Sequence, residues 1–358
     1  VADISNLTVK RADLKTTRIA AAPAAPLAAG EVRLKVDAFS VTANNLTYAV
    51  FGDMMQYWNF FPADDGEGRV PVWGFATVAE SRADGIEAGR RVYGYLPMST
   101  AFTVAAGPAK QGGFSDMAAH RQPMSPFYNQ YVFTDTDPLY TADTEALQML
   151  FRPLFTTAFL IDDSLDDNAF FGARQVIFSS ASAKTAWAAA GQIAARGVPV
   201  VGLTSKRNVA FTESLGCYAR VVAYEDIETL DASVPTVFVD IAGDAGVRGR
   251  VHTHFNANLK YSCLVGATHW QEGAGGGDLP GPKPEFFFAP GQIAKRIGEW
   301  GAPVFGEKVG AAWRTFLPIA ARTTKIVEGQ GLGAAEAAFV AFVNGTARAD
   351  EGTVIRLG

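Results

Sequence analysis

The chain of 358 residues has only two cysteines, Cys217 and Cys263, too few and too far apart for a disulfide framework or a cysteine-based structural zinc site. They read as two reduced thiols of a cytoplasmic protein. An excess of positive charge is also missing: the net charge is -5, so no basic face for nucleic acid is expected. No apolar run approaches the roughly 20 residues that cross a bilayer, and "VADISNLTVKRADLKTTRI" at the start lacks the apolar stretch of a signal peptide. No short-period repeat occurs. What is present is ordinary for a soluble globular protein, 48% hydrophobic and 19% charged residues, with a length that suits two domains.

The first third is punctuated by glycine and proline and reads as strands. "EVRLKVDAFSV" (31–41) alternates apolar and polar residues as a half-buried strand does. "VPVWGFATVAES" and "GRRVYGYLPM" follow, which predicts a small twisted barrel-like domain. From Leu147 the pattern changes. "ALQMLFRPLFTTAFLIDDSL" has helical spacing with a break expected at Pro153. Short apolar runs then alternate with helical stretches: "QVIFS", "VPVVGLT", "RVVAY", "PTVFVDIAG" and "KYSCLVGAT". Such runs form a parallel sheet covered on both faces, a doubly wound α/β domain. "EGAGGGDLPGPKPEFFFAPG" reads as a loop beside a ligand cleft or a passive surface loop. "AAEAAFVAFVNG" is a helix stopped at Gly345. The expected division is 1–146, 147–290 for the α/β domain, and 291–358 returning to the first domain.

The first βαβ unit, Gln175 to Thr204, has a turn almost without glycine. Ser180, Ala181, Ser182, Ala183, Lys184 and Thr185 stand where a pyrophosphate-binding turn belongs. Their side chains are small, serine hydroxyls add donors, and Lys184 adds charge. An L-residue at positive φ costs about 1–2 kcal/mol, so the turn either keeps ordinary φ or hugs phosphates less closely. The second strand ends in "GLTSKRN", with no acid for a ribose 2′-hydroxyl. Ser205, Lys206 and Arg207 suit a 2′-phosphate instead, which favours NADP(H).

In order and spacing these stretches resemble the medium-chain dehydrogenase/reductase superfamily over nearly the whole chain, closest to its zinc-free quinone oxidoreductase and enoyl reductase branches. "GEVRLKVDAFSVTANNLTYAVFG", "VPVWGFATVAES" with "GRRVYGYLP", and "GGFSDMAAHR" resemble the catalytic-domain strands. "LFTTAFLI", "VIFSSASAKTA", "SLGCYARVVAYED", "VDIAG" and "CLVGAT" resemble the cofactor-domain elements, and "AAFVAFVNGTARADEGTVIRL" the closing helix and strand. "SSASAKTA" and "PGPKPEFFFAP" look like a divergent branch described as a domain of unknown function. The resemblance implies a Rossmann-type domain, a GroES-like partly open barrel, and a homodimer. It also implies NADPH-dependent hydride transfer to an enone, enoyl thioester or quinone as small-molecule substrate.

By the same resemblance, Tyr48 is the proton donor or oxyanion partner and Asn45 orients substrate or carboxamide. Thr156 or Thr157 reaches the pyrophosphate or nicotinamide, and Tyr224 lies near the adenosine 2′-phosphate. Ala242, Gly243, Gly266 and Thr268 line ribose and nicotinamide. A turn-forming Asn45 and a packed Tyr48 are the structural alternatives. The aromatics "MMQYWNFFP" and "EFFF" suit a substrate wall, core packing or a dimer interface. No metal is expected. Gly74-Phe75-Ala76 replaces the Gly-His-Glu of zinc alcohol dehydrogenases, residues 38–48 hold no cysteine, and His252 and His254 lie two apart on an expected helix, pointing in different directions. A metal-free ketone or alcohol oxidoreductase, and an NADP-binding sensor without catalysis, remain alternatives.

Overall fold

The structure, a computed structural model, describes residues 3–265 and 279–358. Two compact units are present: Val1–Leu150 with Thr324–Gly358, and Phe151–Thr323.

The first unit is built on strands. They are β1 (Ile4–Lys10), β2 (Asp13–Ala22), β3 (Glu31–Val41), β4 (Glu67–Gly68), β5 (Pro71–Ser81), β6 (Arg91–Pro97), β7 (Ala101–Ala105), β8 (Gly113–Ser115) and β9 (Gln130–Phe133), with β16 (Lys325–Gln330) and β17 (Glu351–Arg356) from the closing segment. Eight of them make one sheet, β16-β17-β3-β5-β6-β9-β8 with β7 also pairing β3, and β2-β1-β4 form a second. The alternation in β3 suggests a half-buried strand. In the structure β3 pairs with β5, β7 and β17, and its apolar residues and even Arg33 are buried. Helix α1 (Ala43–Val50) follows β3 directly.

The chain then enters α2 (Glu145–Asp167), which runs through Pro153 without the expected break. Proline cannot donate to the carbonyl of residue 149. Ser40 Oγ donates to that carbonyl instead, at 2.7 Å, so the acceptor left over by Pro153 is satisfied from β3.

The second unit holds a parallel sheet in the order β12-β11-β10-β13-β14-β15. Its strands are β10 (Gln175–Phe178), β11 (Val200–Thr204), β12 (Arg220–Ala223), β13 (Thr236–Asp240), β14 (Leu259–Leu264) and β15 (Glu285–Phe286). Their apolar runs are buried because helices cover them: α3 (Lys184–Ala195), α4 (Val209–Ser214) and α5 (Ala245–Phe255) lie between successive strands. Strand order reverses at β10, with β11 on one side and β13 on the other. This is the switch point at which Rossmann-type sheets take ligands.

The sequence places the return to the first domain at residue 291. Two further helices, α6 (Ala289–Trp300) and α7 (Ala302–Thr323), stay instead with the second unit. Arg296 of α6 bonds Asp163 of α2 in a buried ion pair, so this segment is anchored by charges that a hydropathy pattern does not show. Helix α8 (Gly331–Val343) then leads to β17. Gly345, at φ +67°, ends it as expected, its N–H meeting the Phe342 carbonyl at 3.0 Å.

Candidate functional site

At the switch point the turn after β10 keeps the left-handed geometry usually given to glycine, with serine in its place: Ser180 has φ +46°. Of the two options left open by the sequence, ordinary φ is therefore not the one used. The strained residue is held by Tyr224, whose hydroxyl accepts the Ser180 N–H at 2.8 Å. Ala181 is wholly buried. Its N–H donates to the Leu203 carbonyl at 2.9 Å and its carbonyl accepts the Tyr218 hydroxyl at 2.8 Å. Gly202 of β11 makes this packing feasible, because a Cβ there would lie 2.8 Å from that of Ala181. The Ala183 N–H closes on the Ser180 carbonyl.

The amides of Ser180, Ala181 and Ala183 are thus bonded within the fold, to Tyr224, Leu203 and Ser180. What the turn presents is the opening of α3. Ala183 stands in the N-cap position and its own side chain supplies no cap to the first turn, which begins with Lys184 and Thr185. Such an opening suits an anion.

The basic turn lies next to it. Ser182 Oγ accepts from Asn208 Nδ2 at 3.2 Å and from Thr204 Oγ1 at 3.4 Å. Ser205, Lys206 and Arg207 are therefore pinned beside the α3 opening, with Lys206 and Arg207 exposed. Across the switch point, Asp240 ends β13 with its side chain fully buried. It accepts Ser179 Oγ at 2.7 Å and the Gly243 N–H at 3.0 Å, and pairs with Arg248 of α5 at 3.2 Å. Ser179 Oγ in turn accepts the Ala242 N–H at 2.9 Å. Burial pushes the Asp240 carboxyl above its ordinary range, against the pull of these partners.

This network fixes the turn that carries Ala242 and Gly243 onto the turn after β10. Ser179, Asp240 and Arg248 were not singled out from the sequence. The available signal was an acid ending the apolar run "TVFVD".

Other expected residues stand apart. The hydroxyls of Thr156 and Thr157 donate back to the carbonyls of Arg152 and Pro153 within α2. Gly266 and Thr268 lie outside the described residues. His252, fully buried on α5, must donate from Nδ1 to the Pro280 carbonyl at 3.0 Å, since a carbonyl only accepts. Its Nε2 then accepts from Ser262 Oγ at 2.8 Å, and burial lowers its pKa. His254 bonds the Leu230 carbonyl. Both cysteines are free thiols, and burial raises that of Cys217 to about 12. Among the described residues no group of three or more acidic, histidine or cysteine side chains is arranged for a metal ion.

In the first unit, α1 carries Asn45 and Tyr48. The amide of Asn45 is taken up by the fold: Oδ1 accepts the Thr42 N–H at 2.6 Å in a capping box, and Nδ2 donates to the Pro71 carbonyl at 2.8 Å. These bonds match the turn-forming alternative for Asn45. Tyr48 is 4% exposed, and its hydroxyl accepts from Asn44 Nδ2 at 2.6 Å and from Trp73 Nε1 at 3.1 Å. Around it stand Tyr57, Tyr95 and Tyr128, with ring centroids 4.7, 5.3 and 6.3 Å away. Phe75, where a zinc enzyme has histidine, packs on Tyr93 and Tyr140 beneath Arg91.

Solved structures with the same fold include CurA from Vibrio vulnificus in complex with NADPH, 12% identical, with 99% of each chain covered and a TM-score of 0.65. The yhdH oxidoreductase from Salmonella enterica in complex with NADP is 14% identical, covering 99% of this chain and 100% of that one at a TM-score of 0.55. The quinone oxidoreductase from Coxiella burnetii is 15% identical, covering 100% of both at 0.51. At such identities the likeness establishes the fold alone, a Rossmann-type domain with a GroES-like one. No curated protein matches the chain in sequence. The family model described as "Protein of unknown function (DUF2855)" matches residues 39–348, and the chain belongs to that family.

Proposed function

We propose that the chain is an NADP(H)-dependent oxidoreductase that reduces an α,β-unsaturated carbonyl, an enoyl thioester or a quinone without zinc. The observation that carries this reading is the pairing, at the switch point of the parallel sheet, of the α3 opening with the basic turn held to it through Ser182 and Asn208. The residues fit the cofactor. The α3 opening and Ser182 would hold the pyrophosphate, and Lys206 and Arg207 the 2′-phosphate. Tyr224, already bonded to the Ser180 N–H, has its own proton to donate beside them. The NADPH and NADP of the CurA and yhdH structures support the same assignment.

When bound, the reduced nicotinamide supplies a hydride. This chain's part is to hold the acceptor's oxygen and to deliver a proton. Tyr48 suits that part, because its phenol oxygen already accepts two N–H bonds that would stabilise negative charge on it. No metal is needed for such a step if the donors are pre-positioned.

The test is oxidation of NADPH, followed by its absorbance, with 2-cyclohexenone, crotonyl thioester and benzoquinone. The expected result is turnover with at least one of them, on the order of 1–1,000 per second. Turnover with saturated ketones alone would assign a ketone reductase, and binding with no turnover a sensor. Either overturns the reading.

A further inference from the structure

We propose that Arg69 receives an anionic group of the acceptor, a carboxylate or a phosphate, so that the substrate is an unsaturated carbonyl compound with a charged tail; this rests on the reductase reading given above. The inference begins with a charge that lacks a partner. Every other arginine of the first unit bonds a carboxylate or a backbone carbonyl. Arg69, in the link between β4 and β5, is half-buried and makes neither kind of bond among the described residues. Its Nε is sealed from solvent without an acceptor, while the two terminal nitrogens stay open. Burial works against its charge. Asp64 pulls the other way, but that carboxylate is exposed and pairs with Arg18 at 3.4 Å. A guanidinium carries five N–H donors in a planar fork, and enclosing part of that fork unpaired is unfavourable until an anion arrives.

The backbone holds this side chain in place. Glu67 and Gly68 pair with Lys10 and Val9 of β1, and Arg11 Nε donates to the Glu67 carbonyl at 2.8 Å. Gly68 lies so close to the Trp58 ring that a Cβ there would fall 2.5 Å from it. On the other side of Arg69, the Pro71 carbonyl accepts Asn45 Nδ2 at 2.8 Å, and Trp73 Nε1 donates to the Tyr48 hydroxyl at 3.1 Å. The chain is thus fixed both before and after the arginine. Four residues separate Arg69 from Trp73, at most about 14 Å of extended chain. An acyl chain or a pantetheine arm covers such a span, with its carbonyl end at Tyr48 and its anionic end at Arg69.

The fork presents two parallel N–H groups, which match the paired oxygens of a carboxylate or phosphate. No bond to carbon is made or broken there. Arg69 positions the acceptor and selects it.

The test compares charged acceptors with neutral ones of similar shape. One pair is a chain-length series of enones ending in a carboxylate beside their methyl esters. The other is crotonyl-CoA beside crotonyl-N-acetylcysteamine. In the wild type one charged member should be preferred in kcat/KM, and that pair names the anion. Arg69→Gln, which removes the charge, should lower this preference about 10- to 100-fold, chiefly through KM, as loss of a charge-assisted contact does. Arg69→Lys keeps the charge without the fork and should recover only part of it. No preference for either charged member, or a preference that survives Arg69→Gln, overturns the subsite.

A second readout needs no turnover. Calorimetric titration uses the saturated counterparts, ω-oxo carboxylates with their methyl esters and butyryl-CoA with butyryl-N-acetylcysteamine. The charged member of one pair should bind the wild type more tightly, and Arg69→Gln should lose that margin. Arg69→Met keeps an apolar stem and removes an unpaired charge, so without ligand it should unfold at or above the wild-type temperature. A lower unfolding temperature would make Arg69 a contact of the fold and overturn the subsite, as would equal binding within both pairs. If the wild type binds a charged member through Arg69 but reduces no acceptor, the reductase reading falls while the anion site stands.

Discussion

Asp240→Ala is expected to destabilise the second unit by about 3–5 kcal/mol, the usual cost of removing one partner from a buried ion pair. Arg248 would be left inside the protein without its anion, Ser179 Oγ without its acceptor, and the Gly243 N–H without the carboxylate that shapes its turn. The loss exceeds that of a simple cavity because three polar groups lose a partner at once. Because the same carboxylate joins the turn after β13 to the turn after β10, NADPH affinity should fall as well, by about tenfold for roughly 1.4 kcal/mol of lost positioning. Asp240→Asn retains an oxygen for Ser179 and Gly243 and should lose less stability. Urea unfolding together with NADPH titration checks both effects. An Asp240→Ala protein within about 0.5 kcal/mol of wild type would show that the network contributes little.

Arg121→Ala should have a comparable effect in the first unit, again about 3–5 kcal/mol. Arg121 is 1% exposed and pairs with the buried Asp116 at 3.1 Å. Its Nε also donates to the Phe60 carbonyl at 3.1 Å, its Nη1 to the Tyr131 hydroxyl at 3.3 Å, and its guanidinium lies 4.5 Å from the Phe61 ring centre. The residue therefore holds the turn that carries Tyr57, and its loss should disturb the phenol cluster before the whole unit unfolds. Arg121→Lys keeps a charge opposite Asp116 but loses the planar fork, and should recover only part of the loss. Thermal unfolding with the tyrosine NMR signals as local probes is the measurement. Unchanged signals in a stable Arg121→Ala protein would contradict this role.

The fold was readable because its cause is repetitive. Continuous apolar runs such as "TVFVD" need cover on both faces, and their alternation with helical stretches leaves a parallel sheet as the arrangement. The ending "TSKRN" stands out in the sequence for a similar reason, since charge of one sign replaces an expected acid within a few residues, and its 2′-phosphate role is the proposal tested below. The parts that were not readable depend on a partner distant in sequence. Nothing near Pro153 indicates that Ser40 will satisfy the carbonyl it leaves free. Nothing within "TANNLTY" shows that Asn45 is committed to Thr42 and Pro71, or that its neighbour Asn44 is the one bonded to Tyr48. Ser180 could not be placed at positive φ from its neighbours, because the compensating hydroxyl comes from Tyr224 at the end of another strand. Asp240 with Arg248, and Asp116 with Arg121, read as ordinary charges until burial is known.

The most direct measurement is the affinity of the purified protein for NADPH and for NADH, by titration calorimetry at one fixed ionic strength. The expected result is NADPH bound about tenfold or more tightly, a margin removed when Lys206 and Arg207 are both changed to alanine, since each charge-assisted contact to the 2′-phosphate contributes about 1.5–3 kcal/mol. Equal affinity for the two coenzymes, or binding of neither, would contradict it.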